Sequence, residues 1–195
     1  MKKPFLGRAG AVAFLLTLTL GGAPNLAADD YAVDPYHSGV IFRISHMGLT
    51  WIHGRFNEFS GSMTIDKADP TKSSFALEIK AKSVDTVVPK RDDHLRSPDF
   101  LDVEQFPSIT FKSTAVKAVE NGYEVTGDFT MHGKTKPITF KLQGGTTKEF
   151  KGMTRIGFYS DLKIKRSDFD VGSEKIKGLL GDDVLISIGL EGLKK

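Results

Sequence analysis

The chain has 195 residues, a formal net charge of +3 and no cysteine, which excludes disulfides, thiolate nucleophiles, cysteine-ligated zinc and iron–sulfur clusters. Three of its 27 basic residues, Lys2, Lys3 and Arg8, lie in a leader without acidic residues, so the remainder balances 24 basic against 24 acidic side chains. A near-neutral chain has no basic field to attract nucleic acid, and we expect no nucleic-acid partner.

Residues 1–28 are predicted to be a secretory signal peptide. A basic start is followed by an uncharged apolar run and then by small residues, which places cleavage near Ala27 or Ala28. The apolar run is short for a membrane span, although an uncleaved anchor is the alternative. We therefore expect a periplasmic protein that does not span a membrane, with one folded domain over residues 29–195.

The remainder of the chain alternates apolar and polar residues with a period of two. On the first such segment Val40, Phe42 and Ile44 share one face, opposite Ile41 and Arg43. This alternation indicates β-strands. Turn-forming residues separate the segments, among them Asn121-Gly122, Gly144-Gly145 and Gly181-Asp182. Eight strands are predicted near residues 31–46, 51–66, 72–84, 106–118, 122–132, 136–146, 150–165 and 182–194.

Long strands joined by tight turns favour an up-and-down antiparallel β-barrel over a Greek-key sandwich. An eight-stranded barrel has an interior that side chains can just fill, or that can hold one small ligand. Small residues such as Gly127, Ala81 and Ser160 share faces with phenylalanines and would leave room beside the rings. We therefore predict an apolar tunnel whose wall includes Phe42, Ile44, Phe56, Phe59, Leu77, Ile79, Phe111, Phe129, Met131, Phe140, Phe158 and Ile186.

One charged segment, around residues 90–101, lacks the alternation and is predicted to be a short helical or loop insert near the barrel mouth. Its cationic side chains are suited to gripping a phosphate or quinone oxygen while its apolar residues cover a ligand tail. The predicted mouth residues are Arg91, His94, Leu95, Arg96 and Phe100. The alternative is an internal network in which the two arginines bond to Asp92, Asp99 or Asp102.

No catalytic or metal-binding motif is present. The histidines lack the spacing of a zinc site, and no G-x-S-x-G motif surrounds a serine. The five histidines are His37, His46, His53, His94 and His132. We expect a binding protein with no catalytic residue and no metal. The competing hypothesis is a periplasmic enzyme acting on isoprenoid or lipid substrates, with His94 working beside Asp92 or Asp99.

Seven segments in order resemble the YceI-like family, and together they cover almost the whole chain after the leader. They are Tyr31-Ala-Val-Asp34-Pro-Tyr-His37-Ser38, Phe42-Arg-Ile-Ser-His46-Met-Gly48, Gly54-Arg-Phe56-Asn-Glu-Phe59-Ser-Gly61, Arg91-Asp-Asp-His94-Leu95-Arg-Ser97-Pro-Asp99-Phe100, Phe106-Pro107-Ser-Ile109-Thr-Phe111, Gly127-Asp128-Phe-Thr-Met-His-Gly133 and Arg166-Ser167-Asp168-Phe169. Asp170 departs from the glycine expected after the last segment, which puts the local turn in question.

The resemblance implies an exported, all-β, lipocalin-like extended eight-stranded antiparallel β-barrel. It further implies a polyisoprenoid ligand, such as a polyprenyl diphosphate or an isoprenoid quinone, or a similar long-chain lipid. That ligand would be carried for transport, storage or protection, with no other cofactor. Assembly as a homodimer is left open.

Overall fold

The computed structural model describes residue 1, residues 28–172, residue 176 and residues 178–195. The predicted signal peptide therefore lies outside the described residues except at its two ends. Within the described part, one antiparallel sheet contains the strands β1 (Asp29–Val33), β2 (Gly39–His46), β3 (Thr50–Phe56), β4 (Phe59–Ile65), β5 (Ser74–Lys80), β6 (Val84–Asp85), β7 (Ser108–Val119), β8 (Gly122–Met131), β9 (Lys134–Phe150), β10 (Met153–Lys165) and β11 (Leu180–Lys194).

The sheet closes into a barrel because β1 and β2 both pair with β11, the last strand. The order around the barrel is β1-β4-β5-β7-β8-β9-β10-β11 and back to β1. Three of the eight positions around the barrel, which we call staves, each contain two strands that lie end to end. These pairs are β1 with β2, β3 with β4, and β5 with β6. The predicted eight-stranded antiparallel barrel is thus confirmed, with the first three predicted strands each broken once.

The break between β1 and β2 is stabilised by a carboxylate. Pro35 has no N–H for the sheet, and the Asp34 carboxylate accepts bonds from the Tyr36 backbone N–H at 3.0 Å and from His37 Nδ1 at 2.7 Å. The break between β3 and β4 is stabilised by Ser83 of the neighbouring stave. The Ser83 carbonyl accepts from the Asn57 backbone N–H, and its hydroxyl accepts from the Glu58 backbone N–H. These bonds satisfy backbone N–H groups at the points where the long strands are interrupted.

Two predicted turns lie inside strands. Gly144 and Gly145 have φ of +116° and +91° and form a bulge where the register of β9 shifts against β10, so the strand continues to Phe150. The chain turns instead at residues 151–152. Gly181-Asp182 likewise belongs to the start of β11, at an irregularity in its pairing with β2. At the first site the two glycines form a bulge, and the sequence did not distinguish the two because bulges and turns both favour glycine.

The connections alternate between two ends of the barrel. The upper end carries the β2–β3 hairpin, the segment between β6 and β7, the β8–β9 turn and the connection from β10 to β11. The lower end carries the remaining turns and the described start of β1. The segment between β6 and β7 contains α1 (Pro89–Arg96), which begins at a proline, where no N–H is needed. The predicted helical insert at the mouth is therefore present.

One seam of the barrel is incompletely paired. β9 and β10 pair from Met153 with Phe150 up to Tyr159 with Gln143, and above that point β9 pairs only with β8 and β10 only with β11. The Ser160 hydroxyl donates to the Lys141 carbonyl at 2.8 Å at the fork. We call this splayed region the β9–β10 seam. It lies beside the cavity described below.

The turn after β10 places Asp170 where the resemblance predicts a glycine. Asp170 has φ of +53°, in the left-handed region that favours glycine, which aspartate tolerates better than most residues. Its carboxylate forms an ion pair with Lys134 at the top of the seam. His132 donates to the Phe169 carbonyl at 3.1 Å in the same place. Among the described residues, no helix is both long and apolar enough to cross a membrane.

Candidate functional site

A cavity of about 170 Å3 runs inside the barrel. Arg166 is the only charged residue of its described wall, and Thr110 the only other polar one. A wall of this composition is expected to stay dry; a cavity of roughly 150 Å3 lined by leucine, isoleucine and phenylalanine excludes water and binds benzene. The wall comprises Val40, Phe42, Ile44, Phe56, Met63, Phe75, Ala76, Leu77, Ile79, Val84, Leu95, Phe100, Leu101, Ile109, Thr110, Phe111, Phe129, Met131, Ile138, Phe140, Leu142, Leu162, Ile164, Arg166, Val171, Leu180, Val184, Ile186, Ile188 and Leu190.

The cavity is closed at its lower end. Met63, Phe75 and Leu142 form its floor and also belong to a packed cluster beneath it. In that cluster Tyr31 and Val125 are completely inaccessible to solvent. A chain-like ligand would therefore lie with its tail on this floor and its other end toward the insert.

Ten of the twelve predicted tunnel residues lie on this wall. The other two, Phe59 and Phe158, are placed elsewhere. Phe158 is buried in the cluster beneath the cavity, edge-on to Phe75 with ring centroids 5.5 Å apart. Phe59 packs against that cluster and against a second core cluster that includes Phe100 and Phe129. Phe59 and Phe158 therefore pack in the barrel core beside the cavity and do not line it. Ligand contact by the ten wall residues stays a prediction.

The room left by two glycines is filled by phenylalanine rings. A Cβ on Gly54 would meet the Phe42 ring at 2.4 Å, and a Cβ on Gly127 would meet the Phe111 ring at 2.5 Å. The tip of each ring therefore occupies the space over a glycine of the neighbouring strand. The sequence suggested that Gly127 leaves empty space beside the rings, but the Phe111 ring occupies that space.

The insert divides into apolar residues that face the cavity and charged residues that do not. Leu95 and Phe100 lie on the described wall. Arg91 donates to the Thr86 hydroxyl at 2.7 Å and to its carbonyl at 2.8 Å, while Arg96 donates to the carbonyls of Lys82 and Val84. Both arginines thus tie α1 to the end of β6.

The acidic residues of the insert have their own partners. Asp92 is buried and accepts from the backbone N–H and the hydroxyl of Thr86. His94 contacts Asp99 at 3.2 Å in an exposed pair, and Asp93 pairs with Arg96. An internal network is therefore present, although its partners are mostly backbone carbonyls and Thr86. The head-group role predicted for the charged mouth residues stays a prediction that this geometry does not favour.

Arg166 is a charged residue of the described wall that the sequence did not predict. It follows the last residue of β10 and is only 8% exposed. Its Nε donates to the Gly181 carbonyl at 3.1 Å, and its Nη1 donates to the carbonyl of Val171 at 2.9 Å. The sequence signal was available, since Arg166 opens one of the seven family-like segments. The wall also contains apolar residues outside the predicted set, and Ile138, for example, shares a strand face with the predicted Phe140.

A polar cluster lies at the break between β1 and β2. Asp34, His37 and Glu191 bring their side chains within metal-binding distance of one another. Arg155, however, contacts both carboxylates through Nη1, at 3.3 Å from Asp34. The hydrogen bond from His37 holds the pKa of Asp34 below its usual value, against the opposing effect of burial. The two carboxylates are thus paired with an arginine, whose Nε is buried without a partner among the described residues.

Comparison with known proteins gives a consistent result. Residues 31–192 match the YceI-like domain. The UPF0312 protein YE1254 of Yersinia enterocolitica is 38% identical over 188 residues, which cover 92% of this chain and 96% of that protein. The crystal structure of BcnA from Burkholderia cenocepacia superposes with a TM-score of 0.73 at 28% identity, over 82% of this chain and 98% of BcnA.

A more distant structure shares the fold. It is a polyisoprenoid binding domain from Saccharophagus degradans, implicated in plant cell wall breakdown. It superposes with a TM-score of 0.65 at 20% identity, covering 85% of this chain and 98% of that domain. At this identity the likeness concerns the barrel architecture.

Proposed function

Because the chain belongs to the YceI-like family, we propose that it binds a polyisoprenoid or a similar long-chain lipid in its barrel. The observation that carries this proposal is the described cavity wall, on which thirty residues include one charged side chain. Burial of an apolar chain contributes about 0.8 kcal/mol per methylene, reduced by the cost of ordering the chain. The polyisoprenoid-binding Saccharophagus domain, which has the same fold, supports this class of ligand.

Export belongs to the same proposal. A basic start, an apolar run and small residues before Asp29 support a cleaved signal peptide and a periplasmic location. In an aqueous compartment, a carrier keeps an insoluble chain away from water. Transport, storage and protection of the lipid are all served by that one physical property.

The enzymatic alternative finds little support in the described site. Asp92 already accepts two bonds from Thr86, and the exposed His94–Asp99 pair lies behind Phe100, which separates it from the cavity. A general acid or base must reach the reacting group of a bound substrate. We therefore propose a binding protein.

The test uses a filled tunnel and a matched surface variant. Phe140 lies on the wall against Phe111, and Phe150 lies on the same strand but is 54% exposed. Phe140→Trp should weaken binding of geranylgeraniol at least tenfold more than binding of geraniol. Each five-carbon unit excluded loses roughly 4 kcal/mol of burial before ordering costs.

Phe150→Trp is the control for the added indole ring and should leave both affinities unchanged. Titration calorimetry on delipidated protein measures all four values. If Phe140→Trp leaves the preference for chain length unchanged, the aromatic wall is ordinary core and the proposal fails. If the wild-type protein binds neither alcohol, it fails as well.

A further inference from the structure

A group of exposed apolar side chains lies at the upper end of the barrel, on and beside the tip of the β2–β3 hairpin. Leu49 is 81% exposed, and the other members are also accessible to solvent. Exposed apolar residues are normal when they are scattered, whereas a contiguous group marks a surface that contacts a protein or a membrane. We call this group the apolar rim; it consists of Met47, Leu49, Trp51 and Leu179.

The apolar rim is continuous with the top of the cavity wall. The Met47 N–H donates to the Leu179 carbonyl at 2.8 Å, which holds the hairpin tip against the residue that precedes β11. The next residue, Leu180, pairs with His46 in the sheet and lines the cavity, as does Ile44 of β2. Apolar surface therefore extends from the cavity to the outside at this edge of the barrel.

The turn of the hairpin differs from the one that folding alone would favour. The Leu49 N–H donates to the His46 carbonyl at 3.0 Å, and the central residues Met47 and Gly48 have φ of +54° and +68°. Asparagine or aspartate followed by glycine is preferred in such a turn, because longer side chains are strained in the left-handed region. Strained residues persist where they serve a function. The exposed methionine therefore indicates a role outside the fold.

The charge of the hairpin is complementary to an anionic lipid surface. Residues 39–56 contain two arginines and no acidic residue, and one of the arginines pairs with Asp85. The guanidinium carbon of the other, Arg43, lies 5.2 Å from the centroid of the Trp51 ring. On the neighbouring strand β11, Asp183 is paired with two lysines of β10. Indole rings concentrate at the interface between a bilayer and water, and guanidinium groups bind phosphate, so both side chains suit that interface.

We propose that the apolar rim docks the barrel on the surface of an anionic phospholipid bilayer, with the upper end of the cavity toward the lipid. The inference goes beyond the proposed function and rests on it in one respect, because a lipid-binding barrel must exchange its ligand with a membrane. Insertion of Met47 and Leu49 buries apolar surface, and Arg43 is attracted to the lipid phosphates. Docking in this orientation shortens the path that an apolar chain would cross in water.

Trp51 is the only tryptophan of the chain and therefore reports on this surface alone. Protein isolated from the periplasm would be titrated with vesicles of phosphatidylglycerol and phosphatidylcholine in equal parts, and with vesicles of phosphatidylcholine alone. We expect binding to the mixed vesicles, a shift of the Trp51 emission to shorter wavelength, and quenching by lipids with brominated tails. Binding to phosphatidylcholine alone should be about fivefold weaker, which is the contribution of one cation near an anionic surface.

Three variants assign docking to the apolar rim. Leu49→Ser should weaken binding to the mixed vesicles roughly tenfold, because this side chain no longer buries apolar surface. Met47→Asn should also weaken binding while it raises the melting temperature, since asparagine relieves the strain of the turn. Phe150→Ser removes an exposed ring at the closed lower end and should leave vesicle binding unchanged. Any leader that remains attached is common to all the proteins and cancels in the comparison.

Four results would overturn the inference. They are no binding to the mixed vesicles, binding without quenching of Trp51, equal binding to the two kinds of vesicle, and equal affinities of Leu49→Ser and Phe150→Ser. A lower melting temperature in Met47→Asn would contradict the role assigned to the turn. A dimer that Leu49→Ser dissociates, from a protein that ignores vesicles, would assign the rim to a second copy of the chain. All these results leave the titrations with geraniol and geranylgeraniol unaffected, so failure of docking is distinguished from failure of ligand binding.

Discussion

Replacing Gly54 by alanine should push the Phe42 ring toward the tunnel. The new methyl group would lie 2.4 Å and 2.8 Å from two ring atoms of Phe42 and 2.8 Å from the Thr86 methyl group. Thr86 is held by Asp92 and Arg91, so the ring is the part that can move. Overpacking of this kind costs about 1–3 kcal/mol, which lowers the melting temperature by about 2–4 °C per kcal/mol for a chain of this size.

A double-mutant cycle separates the ring clash from other effects of the methyl group. In a Phe42→Leu background, Gly54→Ala should cost at least about 1 kcal/mol less than in the wild type, because the obstacle has been removed. Urea unfolding followed by circular dichroism gives the four free energies of unfolding. Additive losses, with no coupling between the two positions, would refute the placement of the ring over Gly54.

Gly127 provides the contrasting cycle. A methyl group there would meet the Phe111 ring at 2.5 Å, but it would also meet the Lys112 carbonyl oxygen at 2.5 Å. A backbone carbonyl in a paired strand cannot move aside as a ring can. Gly127→Ala should therefore remain destabilising in a Phe111→Leu background, and full rescue would contradict the close approach of the two strands.

Three further predictions concern the barrel wall and its turns. Val87 is 88% exposed with φ of +68°, so Val87→Gly should raise the melting temperature by about 2–4 °C, and a lower value would show that the valine is not strained. Because the bond from His37 lowers the pKa of Asp34, its stabilising effect should be complete above the unfolded pKa of 3.8 and lost as the pH falls through the folded pKa. Thermal unfolding between pH 7 and pH 3 should therefore show a smaller loss for Asp34→Asn than for the wild type, and equal losses would contradict this assignment. In hydrogen exchange, amides of residues 134–142 and 160–165 that point into the β9–β10 seam should exchange faster than those paired with β8 or β11, and uniform protection would mean that the seam is closed.

The barrel was predictable because alternation reports directly which side of a strand is buried. Phe42, Phe129 and Phe140 were assigned to the inner face from the period of two alone, and the structure places all three on the cavity wall. The interruptions at Asp34–Ser38 and at residues 57–58 were not predicted, although the buried positions change from odd to even numbers across the first and from even to odd across the second. The first is held by local bonds to the Asp34 carboxylate, and the second by a bond from Glu58 to Ser83 in the next stave, which the alternation of apolar and polar residues does not encode.

The polar end of the site was harder to predict for a physical reason. Arg91 and Arg96 lie close to Leu95 and Phe100 in sequence, but the arginines bond back to Val84 and Thr86 while the apolar side chains face the cavity. Arg166 sits at a strand end, where its burial depends on carbonyls from the connection to β11. Proximity in sequence therefore indicated the correct end of the barrel but not the charged residue on the wall.

The most direct test of a lipid-carrying barrel is to identify what the purified protein contains. The full chain with its leader would be produced in a bacterial host, isolated from the periplasmic fraction without detergent, and extracted with organic solvent for quantitative mass spectrometry. We expect close to one intact long-chain isoprenoid or lipid per protein, and clearly less in Phe140→Trp. An extract free of long-chain lipid, from a protein that also fails to bind polyisoprenoids added after delipidation, would contradict the account.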